Sequence, residues 1–250
     1  MKENSNERLK NDLAFIGGPC AVENEDLLYE IAVKVKKAGA TALRAGAYKP
    51  RTSPYDFQGL GKEGLEILAR VGKKVGIKTI SEITDVRLLD LYADIDILQV
   101  GARNMQNFAL LKELGKQSKP VLIKRGFANT SDELLSSAEY VLSGGNENVA
   151  VCERGIRTFE TSTRFTLDLC SVAALKLKTK LPVIVDPSHA AGNGDIVKSL
   201  ALAAIAAGAD GIMTEVHIAP EDALCDGMQA ISPKTFAEIV KAGKYIRKVI

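Results

Sequence analysis

The chain of 250 residues contains no tryptophan, two histidines and four cysteines that lie far apart in sequence. The cysteines form no CxxC pair, which argues against a zinc ribbon or a disulfide framework and is typical of a reducing compartment. No segment reaches the roughly 18 uninterrupted apolar residues that a membrane span needs. The polar first residues, MKENSNERLKNDL, also lack the apolar core of a signal peptide. We therefore expect a cytoplasmic protein without membrane partners.

A strong charge of either sign is also absent. The 33 Lys and Arg residues nearly balance the 31 Asp and Glu residues, which leaves a net charge of +2. Because nucleic-acid binding usually depends on clustered basic residues, we expect no nucleic-acid partner. Hydrophobic residues make up 46% of the chain and charged residues 26%, a composition typical of a globular protein with a substantial core.

Short apolar runs rich in Val, Ile and Leu alternate with helix-length segments along the whole chain, a pattern typical of parallel strands joined by crossover helices. The eight runs are LAFIGGPC, ATALRAGA, KTISEI, DILQVGA, PVLIKRG, NVAVCERG, LPVIVDP and DGIMTEVH. Eight such units predict a single (β/α)8 TIM barrel over residues 13–250, preceded by a short polar tail at residues 1–12. An open doubly wound sheet is the alternative, but no GxGxxG turn follows the first run.

The segments between the runs predict helices. In NEDLLYEIAVKVKKAG, Leu27, Ile31 and Val35 fall on one helical face, and Gly39 supplies a C-terminal stop. Periodicity predicts further helices near residues 61–74, 85–93, 106–115, 130–143, 163–176, 195–207 and 232–248.

In barrels of this kind the functional groups lie at the C-terminal ends of the strands. A polar or ionisable residue stands at or just beyond each predicted strand end: Cys20, Arg44, Glu82, Arg103, Lys124, Arg154, His189 and Glu215. A single charged residue in such a place is most often simply solvated. The recurrence at all eight ends favours a functional site.

One group of these candidates is basic. It consists of Arg44, Lys49, Arg51, Arg103, Lys124 and Arg154, and three of these belong to the proline-containing stretch LRAGAYKPRTSPYDFQGLG. Guanidinium groups bind carboxylate and phosphate in bidentate fashion, and lysine adds a compact positive charge. Together at one barrel mouth, these residues would bind a substrate with several negative charges.

A second group combines a thiol, an imidazole and two carboxylates: Cys20, His189, Glu215 and Asp226. This mixture suits a divalent transition metal, and the ligand types leave Mn, Fe, Co and Zn open. The grouping depends on the barrel, because an isolated cysteine such as Cys20 is more often a small buried hydrophobe. His217 also follows a strand, Cys152 and Cys170 are expected to be core thiols, and the role of Cys225 is open.

Several segments, in this order, resemble the 3-deoxy-D-arabino-heptulosonate 7-phosphate (DAHP) synthases of compact type: GPC, LRAGAYKPRTSPYDFQGLG, QVGARNMQNF, LIKRG, CERGIRTFET, VDPSH, MTEVH and ALCDG. The resemblance extends over roughly residues 14–250. It implies a metal-dependent condensation of phosphoenolpyruvate (PEP) with erythrose 4-phosphate, the first step of the shikimate pathway to chorismate and the aromatic amino acids. It also implies a homodimer or homotetramer.

The resemblance assigns roles to individual residues. It makes Cys20, His189, Glu215 and Asp226 the metal ligands, with one divalent ion per subunit. It places PEP on Arg44, Lys49, Arg103, Lys124 and Arg154, and the phosphate of erythrose 4-phosphate on Arg51 and Thr52. It further implies that Lys49 and His189 take part in catalysis, Lys49 as the proton donor to the aldehyde oxygen.

The chain departs from the family pattern in two places. The stretch SHAAGNGDIV lacks a basic pair that many relatives carry after the SHxxG motif, and Cys225 in ALCDG replaces a frequent serine. Relatives with feedback control often carry an added N-terminal domain, for which the short tail leaves no room. We therefore expect no built-in inhibition by aromatic amino acids. The role of a separate partner enzyme such as chorismate mutase stays open.

Three other interpretations compete with this one. The nearest is 3-deoxy-D-manno-octulosonate 8-phosphate (KDO8P) synthase, a related barrel that uses arabinose 5-phosphate and whose loop resembles KANRSS where this chain has KPRTS. A non-catalytic barrel that binds a metabolite or partner would be favoured by loss of a ligand or an arginine, and none is lost. A Schiff-base aldolase using Lys124 would leave the second group unexplained.

Overall fold

Eight parallel strands close into one barrel in the order of the chain, as the computed structural model of residues 13–250 shows. The predicted tail at residues 1–12 lies outside the described residues. The strands are β1 (Ala14–Gly18), β2 (Ala42–Arg44), β3 (Lys78–Ile83), β4 (Ile97–Val100), β5 (Val121–Lys124), β6 (Val149–Glu153), β7 (Val183–Val185) and β8 (Gly211–Glu215). Closure occurs where β1 pairs with β8, from Ala14 opposite Gly211 to Gly18 opposite Glu215. The predicted TIM barrel is confirmed.

The helices surround the barrel. They are α1 (Glu25–Ala38), α2 (Lys62–Val75), α3 (Phe108–Gly115), α4 (Ser131–Leu142), α5 (Leu169–Lys178), α6 (Pro187–Ala191), α7 (Gly194–Ala206) and α8 (Pro233–Arg247). Short 3-10 segments lie at Val86–Tyr92, Ala102–Asn104, Pro220–Asp222 and Gly227–Gln229. Within the described residues, no helix is both long and apolar enough to span a bilayer.

Two helix predictions need correction, and one helix was missed. The segment predicted as a helix near residues 85–93 is the 3-10 segment Val86–Tyr92. The helix predicted from residue 163 begins only at Leu169, because the Asp168 side chain accepts a hydrogen bond from the Ser171 backbone and caps the helix there. The short helix α6 was not predicted, and it places His189 on a helix rather than directly at a strand end.

Local signals set other helix boundaries, including the predicted stop at Gly39. The Asn24 side chain accepts from the Leu27 backbone at the start of α1, and Gly39 ends that helix with a φ of 104°. At the start of α4, Thr130 and Glu133 form a reciprocal capping box. These ends are encoded locally and need no tertiary contact.

Two apolar layers hold the barrel together, because parallel strands are buried on both faces. The larger layer lies between strands and helices. The smaller fills the barrel interior with Ile16, Ala42, Ile80, Leu122, Cys152, Ile184 and Met213. Cys152 is therefore the predicted core thiol. The same expectation for Cys170 is wrong, because its side chain is exposed in the first turn of α5.

At the N-terminal end of the barrel, the buried Asp210 joins β7 to two helices. Its Oδ2 accepts from the Val183 backbone at 2.8 Å, and it pairs with Lys176 on α5 at 2.6 Å. Arg247 of α8 lies 3.7 Å from its Oδ1. This carboxylate fixes the strand end opposite to the mouth that holds the candidate site.

We expect Asp210→Ala to lower the free energy of unfolding by about 2 to 3 kcal/mol, because it leaves the buried Val183 backbone donor and Lys176 without their acceptor and removes the negative charge near Arg247. Chemical denaturation measures this. Glu66→Ala, which removes an exposed i,i+4 pair with Lys62, is the control and should change stability by less than about 0.5 kcal/mol. Equal effects of the two substitutions would contradict the assignment.

Candidate active site

A cavity of about 240 Å³ opens at the C-terminal end of the barrel. The structure places all six predicted basic residues in its lining: Arg44, Lys49, Arg51, Arg103, Lys124 and Arg154. Thr52, His189 and Asp226 also line it, as does Arg164, which the sequence analysis did not single out. The barrel thus brings the cations, which are scattered from residue 44 to residue 164, around one small volume.

The four predicted metal-binding residues also come together. One ligand atom from each of Cys20, His189, Glu215 and Asp226 can be chosen so that all lie within 4.8 Å of one another. Cys20 follows β1, His189 lies on α6 and Glu215 ends β8. Asp226 lies in the loop after β8 with a φ of 55°, a left-handed conformation that Asp tolerates better than most residues. Thiol, imidazole and carboxylates at this spacing fit one divalent transition-metal ion.

Asp186 orients the imidazole of this cluster. Its Oδ2 lies 2.7 Å from His189 Nδ1, and its Oδ1 accepts from the His189 backbone at 3.0 Å. His189 Nε2 therefore faces the cluster, 3.3 Å from Glu215 Oε1. A carboxylate on the far nitrogen is the usual support of a metal-binding histidine. The surroundings of His189 thus fit a ligand role as well as its position does.

Burial governs the protonation of the cluster. It raises the pKa of Cys20 well above its usual value, and it raises the pKa of Glu215 to about 7, with the nearby Cys20 sulfur adding to the effect. For Asp226, burial acts upward, but the hydrogen bond from Cys20 and neighbouring cations outweigh it and lower the pKa. Cys20 must lose its proton before it can bind a metal ion, so metal binding and proton release are coupled.

The loop after β2 brings two cations to the cluster. Lys49 is buried, and its Nζ lies 2.8 Å from Cys20 Sγ and 3.1 Å from the Cys20 carbonyl oxygen. Arg51 lies nearer the solvent, with Nη1 2.7 Å from Cys225 Sγ and 3.9 Å from Asp226 Oδ2. The intervening Pro50 restricts the backbone between them. The loop therefore aims Lys49 at the cluster from inside and Arg51 from the rim.

Lys49 keeps its proton in this setting. Burial by itself would lower the pKa of Lys49, but the nearby Cys20 sulfur and the other acidic groups of the cluster outweigh that effect and raise it. A buried ammonium group beside the metal-binding residues is suited to give a proton to an oxygen that becomes negative there.

Other cations of the cavity are paired with carboxylates. Arg44 donates to Glu215 Oε1 at 3.0 Å and to Gln99 Oε1 at 3.3 Å. Lys124 forms an ion pair with Asp186. Both pairs are buried, so each charge is partly balanced before any substrate arrives.

Arg154 is buried without an ion pair in the part of the chain that the structure describes. Its guanidinium donates to the carbonyl oxygens of Gly155 and His189, and its centre lies 4.1 Å from the ring centre of Phe165. Burial lowers the pKa of Arg154 to about 10. An anion bound beside it would therefore gain a strong interaction, since no carboxylate already neutralises the charge.

Several residues of the site were missed by sequence reasoning. Gln229 donates to Glu215 Oε2 at 2.6 Å, and Arg164 donates to Gln229 Oε1 at 3.0 Å and lies 3.4 Å from Asp226 Oδ1. Asp186 stood in the quoted VDPSH segment without a role. Arg164 was assigned to a helix that begins only at Leu169, and nothing in the sequence marked Gln229.

The structure also gives the positions of His217 and Cys225, to which the sequence analysis assigned no role. His217 is buried and is not a lining residue of the cavity; its Nδ1 accepts from the Ala219 backbone and its Nε2 lies 3.7 Å from Glu23 Oε1. Cys225 lies beside the metal-binding cluster, with its Sγ 3.3 Å from Cys20 Sγ. Its pKa is lowered, first by the hydrogen bond with Cys20.

Comparison with known proteins supports the same family. Residues 7–249 match the model of the DAHP synthetase I family. A curated relative from Thermotoga maritima, named phospho-2-dehydro-3-deoxyheptonate aldolase, is 50% identical over 231 residues, which cover 92% of this chain and 68% of the relative. A 2-dehydro-3-deoxyphosphooctonate aldolase from Geobacter sp. (strain M21) is 31% identical over 257 residues, 95% of this chain and 93% of that protein.

Solved structures agree with the sequence comparison. The crystal structure of phospho-2-dehydro-3-deoxyheptonate aldolase (DAHP synthase) from Thermotoga maritima superposes with a TM-score of 0.92 at 48% identity, covering 96% of this chain and 70% of that one. A truncated form of 3-deoxy-D-arabino-heptulosonate 7-phosphate synthase from the same organism gives 0.88 at 44% identity, with 96% and 88% coverage. The chain belongs to the DAHP synthetase I family.

Proposed function

We propose that the chain condenses PEP with erythrose 4-phosphate and water to DAHP and inorganic phosphate, with one divalent metal ion per subunit. The main observation in its support is that the four-residue cluster and the basic residues lie together at one end of the barrel. A four-residue cluster suited to a metal lies directly beside a cavity lined by seven cations, in a chain of the DAHP synthetase I family.

The charges of the cavity match those of the two substrates. PEP carries a carboxylate and a phosphate, and erythrose 4-phosphate carries one phosphate. In the proposal Arg44, Lys49, Arg103, Lys124 and Arg154 hold PEP, while Arg51 and Thr52 hold the phosphate of the aldehyde. The two anions repel each other, so the cations lower the free energy of bringing the reacting carbons together.

The reaction joins carbon 3 of PEP to the aldehyde carbon, while water adds to carbon 2 and phosphate leaves with cleavage of its carbon–oxygen bond. Lys49 gives its proton to the aldehyde oxygen as that oxygen becomes negative, and its position beside Cys20 supports this role. A divalent ion on Cys20, His189, Glu215 and Asp226 would stabilise negative charge at the same oxygen or orient the water. His189 contributes to catalysis through this ligation.

The proposal leaves Mn, Fe, Co and Zn open as the metal, because the donor set accommodates each of them. The homodimer or homotetramer and the cytoplasmic location stay predictions.

Purified protein should release phosphate when it is mixed with PEP and erythrose 4-phosphate. The rate should fall to background after exhaustive chelation and return with a divalent metal, because the cluster is placed to act on the aldehyde. Arabinose 5-phosphate in place of erythrose 4-phosphate is the matched control for the KDO8P interpretation. Activity with the pentose alone, or activity that survives complete removal of metal, would overturn the proposal.

Asp186→Asn should weaken metal binding about 10- to 100-fold, because it removes the carboxylate that orients His189 while keeping the shape of the side chain. Metal titration followed by calorimetry measures the affinity. Glu66→Gln, an isosteric change on the exposed face of α2, is the control and should leave the affinity unchanged. An unaltered affinity in Asp186→Asn would exclude this orienting role.

The two substrates should respond to different arginines. Arg51→Ala should raise the KM for erythrose 4-phosphate about 10- to 100-fold, the effect of losing a charge-assisted hydrogen bond, with a change of less than about threefold for PEP. Arg103→Ala should show the opposite pattern. Steady-state kinetics with one substrate varied at a time measures both, and the same substrate affected in both variants would refute the assignment.

A further inference from the structure

Phe127 and Phe165 form a stacked pair at the edge of the cavity, with ring centres 5.1 Å apart and ring planes 13° from parallel. Guanidinium groups surround this pair. Their distances to a ring centre are 4.1 Å for Arg154 to Phe165, 5.0 Å for Arg154 to Phe127, 5.3 Å for Arg103 to Phe127, 5.9 Å for Arg164 to Phe165 and 6.0 Å for Arg157 to Phe127. We call Phe127 and Phe165 the aromatic platform.

The arginines at the aromatic platform differ in their partners from the other cations of the cavity. Arg44 and Lys124 lie in ion pairs with carboxylates. Across residues 13–250, neither Arg103 nor Arg154 lies within ion-pair distance of an acidic group that the structure describes. An aromatic face attracts a guanidinium through its quadrupole and adds no negative charge. Arg103 and Arg154 are therefore oriented while their charge stays available to a ligand.

Backbone contacts fix the platform itself. The Phe165 backbone donates to the Ala190 carbonyl oxygen at 2.8 Å, which ties it to α6. Gly155 has a φ of 90°, and a Cβ at that position would lie 2.8 Å from the Cβ of Phe165, so the glycine allows the approach. The Phe127 carbonyl oxygen accepts from the Arg157 backbone at 2.6 Å. The rings are thus held by the loops after β5 and β6.

Arg103 and Arg154 approach the Phe127 ring from different loops. Arg103 lies in the 3-10 segment after β4, and Arg154 follows β6 directly. Both line the cavity, as does Phe127, and both lie within 5.3 Å of the Phe127 ring centre. Two guanidinium groups that share one ring and line one cavity, each without an acidic partner, match a phosphate monoester, which carries about two negative charges and several acceptor oxygens.

We propose that Phe127 and Phe165 are positioning residues that hold Arg103 and Arg154 on the phosphate group of PEP. The inference rests on the proposed function for the identity of the substrate. It goes beyond that function by assigning a role in substrate affinity to two apolar side chains that need not touch the substrate.

Phe127→Leu and Phe165→Leu test the platform, because leucine keeps an apolar side chain and removes the π face. Each should raise the KM for PEP about tenfold, with less than about a twofold change in kcat and in the KM for erythrose 4-phosphate. Phe127→Tyr, which retains the ring, should have the same KM for PEP as the original protein. The Phe127 variants stand alone if Phe165→Leu fails to fold, because Phe127 is only partly buried.

Phe108→Leu is the matched control. Phe108 stacks on Tyr140 with ring centres 4.6 Å apart, at the start of α3 and outside the cavity lining. Its substitution removes a stacked ring without touching the platform and should leave the KM for PEP unchanged. An equal rise in KM for Phe108→Leu and Phe127→Leu would overturn the inference.

Calorimetric titration with inorganic phosphate separates this inference from the proposed function. Phe127→Leu should bind phosphate about tenfold more weakly than the original protein, and Phe127→Tyr should bind it equally well. If the original protein releases no phosphate from PEP and erythrose 4-phosphate, the proposed function fails while this titration still tests the platform. Unchanged phosphate affinity in Phe127→Leu, or equal losses in Phe127→Leu and Phe127→Tyr, would overturn the inference.

Discussion

The buried carboxylate of Asp186 joins the two halves of the site, and the arrangement of both depends on it. One of its oxygens contacts His189 Nδ1 and the Lys124 ammonium group, and the other caps α6 through the His189 backbone. The candidate metal-binding cluster and the cation-lined cavity therefore share one contact residue, Asp186. The pKa of Asp186 is lowered: burial acts upward, and His189 and Lys124 outweigh it, so the carboxylate stays charged.

The positively charged residues of the cavity have two kinds of partner, carboxylates and aromatic rings. Arg44 is balanced by Glu215, a member of the candidate metal-binding cluster, and Lys124 by Asp186, whereas Arg103 and Arg154 lie against aromatic rings. A cavity of seven cations with no internal balance would be strongly self-repelling. The ion pairs of Arg44 and Lys124 offset part of this repulsion, while the stacked arginines keep their charge available to a substrate. The near-neutral chain thus concentrates its positive potential at one mouth.

The structure shows the surroundings of the two departures from the family pattern, the stretch SHAAGNGDIV and Cys225. In SHAAGNGDIV, the Asn193 side chain accepts from the Asp195 backbone and begins α7, so this stretch serves as a helix start. Cys225 places a second sulfur 3.3 Å from Cys20 and 2.7 Å from Arg51. The Cys225 thiol therefore contacts residues of the candidate site and is not only a packing residue.

The barrel follows from the sequence pattern alone, because eight apolar runs with amphipathic helices between them allow few other closed arrangements. It also singled out the cations and the four metal-binding candidates, since each belongs to a strand end or a family segment. The partners of these residues became apparent only once the barrel was closed: Asp186 beside Lys124, Gln229 on Glu215, and Phe127 and Phe165 under the arginines. Such contacts join different segments of the chain, and local propensity carries no information about which side chains a closed barrel brings together.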